Sequence, residues 1–203
     1  MFADPEAQFD PIAVLTQYHF VERKLYLNCE IEPAIGRQFL ETIQFWNAED
    51  EFNGTPIDER VPIQIYIDCP GGCLTTSLLI IDAIRMSKTP IYTVVTGKAY
   101  SGGFFIAIAA DKRMAFPNAT FLFHEGSAMM EGDAHKISQQ AEFYKKYQLK
   151  QIKELVLSFT KISKSTYEQH AKDDWYFGAE KALEIGVIDE ISKDVNGGIY
   201  NDE

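Results

Sequence analysis

Long apolar runs, cysteine and positive charge are what this sequence has least of, and each shortage excludes a class of protein. No stretch approaches the roughly 20 consecutive apolar residues that a membrane-spanning helix needs, and the opening MFADPEAQFD lacks the basic-then-apolar order of a secretory signal. The chain is therefore expected in the cytosol, with no membrane partner. Three cysteines, Cys29, Cys69 and Cys73, are too few and too odd in number for a disulfide framework, as suits a reducing compartment. Cys69-Pro-Gly-Gly-Cys73 has a spacing of four, unlike the C-x-x-C of redox or zinc sites, and no second ligand pair follows it. The two read as small side chains beside a crowded turn, so neither a metal nor another cofactor is expected. With 19 basic residues against 30 acidic ones, the net charge of −11 opposes nucleic acid and anionic lipid alike.

What remains suits one globular body. Of 203 residues 46% are hydrophobic, enough for one sizeable core. Neither an internal repeat nor a low-complexity segment argues for a second domain. The expected division is an arm at 1–19 with one short helix, a body at 20–193, and a polar tail at 194–203.

Within the body, strand, turn and helix alternate. Lys24 to Asn28 is strand-like, and Pro33 opens a helix on which Ile35, Phe39, Leu40, Ile43 and Trp46 recur at the spacing of a buried face. Asn47 to Pro62 reads as a polar, acidic loop. Ile63 to Asp68 is a β-branched and aromatic strand; after Pro70-Gly71-Gly72 comes a helix bearing Leu78 to Ile84, which Pro90 stops. Ile91 to Thr96 is a strand, Gly97 a turn, and Ser101 to Ala110 an almost wholly apolar, buried helix. Met114 to Phe116 and Thr120 to Phe123 are short strands, and a long helix runs from about Ala134 to about Ser158. Ser165-x-x-Glu168 reads as a capping box, and Ala179 to Ile185 as a helix closed by Gly186. The alternation predicts α/β architecture with parallel crossover units.

Chemistry is sought where turns open helices. Pro70-Gly71-Gly72 lacks the Lys-Ser/Thr of a phosphate loop. Gly97-Lys-Ala-Tyr-Ser101-Gly-Gly103 sets a serine among small residues at the mouth of a buried helix, in the manner of a nucleophile elbow, although Ala99 stands where G-x-S-x-G has glycine. An ordinary N-cap serine fits the same segment. A nucleophilic serine needs a base. Among four histidines His19, His135 and His170 lie in polar settings, whereas His124 ends an apolar strand in a loop that continues to Gly126. Asp174, with Asp173 as competitor, precedes the aromatic run Trp175-Tyr176-Phe177 and could orient that base.

Several segments in order resemble the proteolytic subunit of the Clp protease, the ClpP family. They are Phe20-Val-Glu-Arg-Lys-Leu-Tyr-Leu27, Ile65-Tyr-Ile-Asp-Cys-Pro-Gly-Gly72, Gly97 to Gly103, Pro117-Asn-Ala-Thr-Phe-Leu-Phe-His124, and Asp174 to Asp189. The resemblance implies a ClpP/crotonase-like α/β fold with repeated β-β-α units and a projecting long helix. It implies a serine endopeptidase in which Ser101 is the nucleophile, His124 the general base and Asp174 its orienting acid. Asp174 is preferred to Asp173 by its distance to Gly186. The backbone N–H groups of Gly72 and Gly102 would form the oxyanion hole, and an extended peptide would pair near Leu74 and Ser127. Stacked heptameric rings, peptide or unfolded-protein substrates and a AAA+ unfoldase partner are implied likewise.

The sequence departs from the family pattern at several points. Glu125-Gly126 stands where the family has Gln-Pro, Tyr100 and Gly102 where it has Ala and Met, and the segment before Phe20 aligns poorly with the family's pore loop. The departures mark a divergent member, with phage origin left open. The competing readings are a phage prohead-maturation peptidase, a catalytically silent ring subunit, and an acyl-CoA enzyme of the crotonase fold.

Overall fold

The computed structural model describes residues 10–126 and 130–195. Along the chain come α1 (Pro11–Val21), β1 (Lys24–Leu27), α2 (Pro33–Phe52), β2 (Ile63–Cys69), α3 (Leu74–Met86), β3 (Ile91–Tyr100), α4 (Gly102–Ile108), β4 (Lys112–Ala115) and β5 (Thr120–Phe123). Then follow α5 (Ala134–Phe143), α6 (Leu149–Phe159), α7 (Lys164–His170), β6 (Trp175–Gly178), α8 (Ala179–Glu184) and β7 (Glu190–Ile191). The expected α/β architecture is present. Strands β1, β2, β3, β4 and β7 lie in that order, each parallel to its neighbour. Strand β5 adds to β3 in parallel, and β6 runs antiparallel to β5.

The core follows from composition. Ile63, Ile65 and Ile67, alternate residues on one face of β2, are fully buried in the main core. Helix α2 turns Phe39, Ile43 and Trp46 inward, and all seven residues of α4 are buried. Helix α1 buries none of its residues; at its end Phe20 packs on Phe45 and Trp46, with ring centroids 5.3 and 5.4 Å apart.

Four local expectations need correction. The first is the turn at Gly97: β3 instead runs through it to Tyr100. It serves β4 with Tyr92 to Val95 and β5 with Lys98 to Tyr100. A side chain at 97 would stand 2.6 Å from Asp68 Oδ1, so glycine lets the strand pass close to β2 where it changes partner. The second is the loop expected from Asn47. Helix α2 continues to Phe52, because Asp50 is buried and holds Arg23 through both carboxylate oxygens, at 2.8 and 2.7 Å, while Thr89 Oγ1 donates to it at 2.6 Å.

Third, Ser163, not Ser165, caps α7, accepting from Thr166 N at 3.1 Å. Fourth, the long helix is not regular: a π-helical turn, Tyr144–Gln148, separates α5 from α6. Helix α5 is exposed throughout and stands off the body, whereas α6 buries Ile152 and Val156.

Burial works against the charged Asp50, but hydrogen bonds from Arg23 and Thr89 outweigh it and hold the carboxyl below its usual range. A carboxyl so depressed stabilises the fold above the unfolded carboxylate range, and that contribution is lost as pH falls through it. Asp50→Ala, which strands Arg23, is expected to destabilise by about 3 kcal/mol. Urea unfolding at neutral pH should show the loss, and the gap to wild type should narrow in acid.

Candidate active site

Three strand ends bring the chemistry together at the carboxyl edge of the sheet. Strand β3 delivers Ser101, whose N–H donates to Leu122 O at 3.0 Å. Tyr100 lies opposite Leu122, so two further residues along β5 bring His124 beside the serine. The antiparallel register of β5 and β6 pairs Thr120 with Gly178 and Phe123 with Trp175. Continued by one residue, it sets His124 opposite Asp174, and His124 Nδ1 lies 3.3 Å from Asp174 Oδ1. Asp173 is out of this register, its own N–H turned back to His170 O at 3.2 Å.

Ser101 has φ 52° and ψ −118°, a left-handed backbone that a non-glycine residue adopts only at some energetic cost. The sharp turn exposes the serine at the head of buried α4. Ser101 and His124 line one cavity of about 540 Å³ with Gly72, Leu74, Gly102 and Phe105. His124 Nε2 is buried and has no hydrogen-bond partner among the described residues, so the bond to Ser101 is not formed here. Catalytic contacts of this kind often tighten only with substrate bound.

Among the described residues, two N–H groups on the cavity wall are left without a hydrogen-bond partner. Ile31 N donates to Gly71 O at 2.8 Å, and Cys73 N donates to Ile31 O at 2.9 Å. A trans peptide points its N–H opposite its C=O, so the Gly72 N–H is turned away from Ile31. Gly102 N begins α4, where the first N–H groups have no partner within the helix. Leu74, expected near a bound peptide, is on the cavity wall. Ser127, its expected counterpart, lies outside the described residues.

A profile of the Clp protease family matches residues 12–195. The chain belongs to the Clp protease family. This Clp-family chain is by that membership a serine peptidase. It is 37% identical over 134 residues to the ATP-dependent Clp protease proteolytic subunit of Deinococcus radiodurans, covering 64% of each chain. Proteolytic subunit 1 of Streptomyces avermitilis is 34% identical over 92% of this chain and 82% of its own length. Subunit 2 of Corynebacterium diphtheriae is 30% identical over 89% of this chain and 87% of its own.

Of the other wall residues of this Clp-family site, Glu125 shows in the sequence only as a departure from the family's Gln, and Tyr144 and Gln148 carry no functional signal. Glu125 is tied on three sides: its N–H to Ala171 O (3.0 Å), its C=O to the Tyr144 hydroxyl (2.9 Å), and its carboxylate to the Tyr167 hydroxyl (3.0 Å). Burial and the Glu125 charge both raise the pKa of Tyr167 and of Tyr144. Tyr144 and Gln148, at the two ends of the π turn, both reach the cavity. The two are four residues apart, a spacing that keeps side chains on one face of a helix.

The three cysteines are free thiols and differ in setting. Burial pushes the Cys69 thiol up to about 11, whereas exposed Cys73, beside Thr76 at the start of α3, is lowered. Among the described residues no cluster of His, Cys, Asp and Glu could hold a metal ion, and no helix is long and apolar enough to cross a membrane.

Proposed function

We propose that the chain is an endopeptidase in which Ser101, His124 and Asp174 act as a catalytic triad. The observation that carries this is the β3–β5–β6 ladder, whose register brings the three residues to one strand edge. Ser101 Oγ attacks the peptide carbonyl, and His124 Nε2 takes its proton and passes it to the leaving amine. Water then releases the acyl-enzyme by the reverse use of the same base. The Gly72 and Gly102 N–H groups receive the negative charge on the tetrahedral oxygen. Asp174, 3.3 Å behind the imidazole, holds the proton on Nδ1 and leaves Nε2 able to accept.

The substrate is an extended peptide added as a strand past Leu74 on one side and Ser127 on the other. The site works inside a homo-oligomeric barrel of stacked heptameric rings. Exposed apolar side chains support association: Ile12 and Val21 on α1, Phe52 on α2 and Met86 on α3. A AAA+ unfoldase feeds the barrel, a reading supported by the words "ATP-dependent" in the relatives' names.

The test is intact-mass spectrometry after exposure to a fluorophosphonate. One adduct is expected on the wild type, absent from Ser101→Ala and formed much more slowly on His124→Ala. An oligomer that takes no adduct would remove the nucleophile assignment.

A further inference from the structure

Cys69 ends β2 at the head of Cys69-Pro-Gly-Gly-Cys73, and its side chain is fully buried. The sulfur makes two bonds at once. Gly71 N–H donates to Sγ at 3.3 Å, while the S–H donates to Cys29 O at 3.2 Å, with Gly71 O a more distant acceptor at 3.8 Å. The donated bond needs the neutral thiol, and burial keeps the hydrogen in place by pushing the Cys69 thiol up to about 11.

The turn that follows is weakly constrained by its own residues. Gly71 and Gly72 have φ of 105° and 144°, and glycine loses more conformational freedom on folding than any other residue. The peptide between them carries the Gly72 N–H, so whatever fixes Gly71 also aims that N–H. Ile31 N holds Gly71 by its carbonyl at 2.8 Å, and Cys69 Sγ holds it by its amide. The S–H bond ends on Cys29, two residues before Ile31, so the facing segment is tied to the same sulfur. The second proposed donor is backed by it as well. A Cβ at Gly103 would stand 3.2 Å from Sγ, so the first turn of α4, which Gly102 opens, rests directly against the thiol.

We infer that Cys69 is a positioning residue for the oxyanion site, its thiol pinning Gly71 so that the Gly72 N–H faces the cavity. The inference rests on the proposed chemistry of Ser101. Sulfur is a weak donor and a weak acceptor, so the expected effect is smaller than that of deleting an oxyanion donor outright.

The experiment compares wild type, Cys69→Ala and Cys69→Ser on one fluorogenic peptide, with active Ser101 counted by a fluorophosphonate. A peptide boronate serves as the tetrahedral mimic: its boron bonds Ser101 Oγ and a boron-bound oxygen takes the place of the oxyanion. Per labelled serine, Cys69→Ala is expected to lose about tenfold in kcat with KM within about twofold, and to bind the boronate more weakly by a similar factor. A hydroxyl can make both bonds of the thiol, so Cys69→Ser should recover kcat and boronate affinity to within about threefold of wild type. A Cys69→Ala enzyme that melts earlier yet keeps wild-type kcat per labelled serine has lost packing alone, which overturns this inference and leaves the triad standing. A Cys69→Ser enzyme as slow as Cys69→Ala overturns it too. Where Cys69→Ala fails to fold, Cys69→Ser decides: wild-type kcat and boronate affinity uphold the inference, and a tenfold loss of both sinks it. Wild type whose Ser101 takes no label overturns the triad and this inference with it.

Discussion

Asp174→Asn is expected to lower kcat by about 10⁴-fold, with KM close to wild type and the fold intact. An amide at this position can donate to His124 Nδ1, which favours the tautomer whose Nε2 carries the proton and cannot accept one from Ser101. Asp173→Asn is the informative companion. Asp173 lies one residue out of register with His124, and its backbone N–H caps His170 O. That variant should turn over peptide near the wild-type rate. Steady-state kinetics on a fluorogenic peptide decides between them, and equal losses in the two would break the assignment built on the β5–β6 register.

The second large effect is expected at Gly72. A Cβ there would stand 2.5 Å from Ile31 O and 2.6 Å from Ile31 N, on a backbone with φ 144°. The bridge between Ile31 and Gly72 must then open, and the bonds at Gly71 O and Cys73 N that aim the Gly72 N–H at the cavity go with it. Gly72→Ala should lose about 2 to 4 kcal/mol of stability and at least about a hundredfold in kcat. Gly54→Ala separates strain from collision, since Gly54 also has a positive φ, 66°, but open space around it. That control should lower stability by about 1 kcal/mol and leave kcat unchanged. A Gly72→Ala enzyme with wild-type kcat would show that this N–H does not stabilise the oxyanion.

Much of this was legible in the sequence where a strong local pattern coincides with a tertiary one. The apolar run after Ser101 becomes buried α4, and the β-branched run Ile63 to Ile67 becomes the middle of β2. Ser101 and His124 could be singled out because one opens an apolar segment and the other ends one. Residue chemistry alone left Asp174 and Asp173 as competitors; the family resemblance preferred Asp174, and the β5–β6 register sets Asp174 opposite the histidine. Local signals failed where distant groups decide the outcome. Glu49, Asp50 and Glu51 read as loop, yet Arg23, 27 residues earlier than Asp50, turns one of them inward and extends α2. Gly97 reads as a turn, yet Asp68 across the sheet makes it a point of close passage. The π turn Tyr144–Gln148 interrupts the long helix at Tyr-Lys-Lys-Tyr-Gln, which holds neither the proline nor the glycine that would announce a break.

The forked strand β3 has a consequence for how the molecule is assembled in time. It must find β2, β4 and β5, and every one of these pairings is parallel, so each is closed by a crossover and not by a tight hairpin. Contacts between residues far apart in sequence slow folding, because loop-closure entropy is lost before the contacts compensate for it. The sole antiparallel pairing among the described strands, β5 with β6, joins segments some fifty residues apart and fixes His124 against Asp174. A nascent chain thus carries Ser101 and His124 well before it carries Asp174, the proposed partner of the imidazole. If the proposed triad holds, peptidase competence emerges only when synthesis has passed β6.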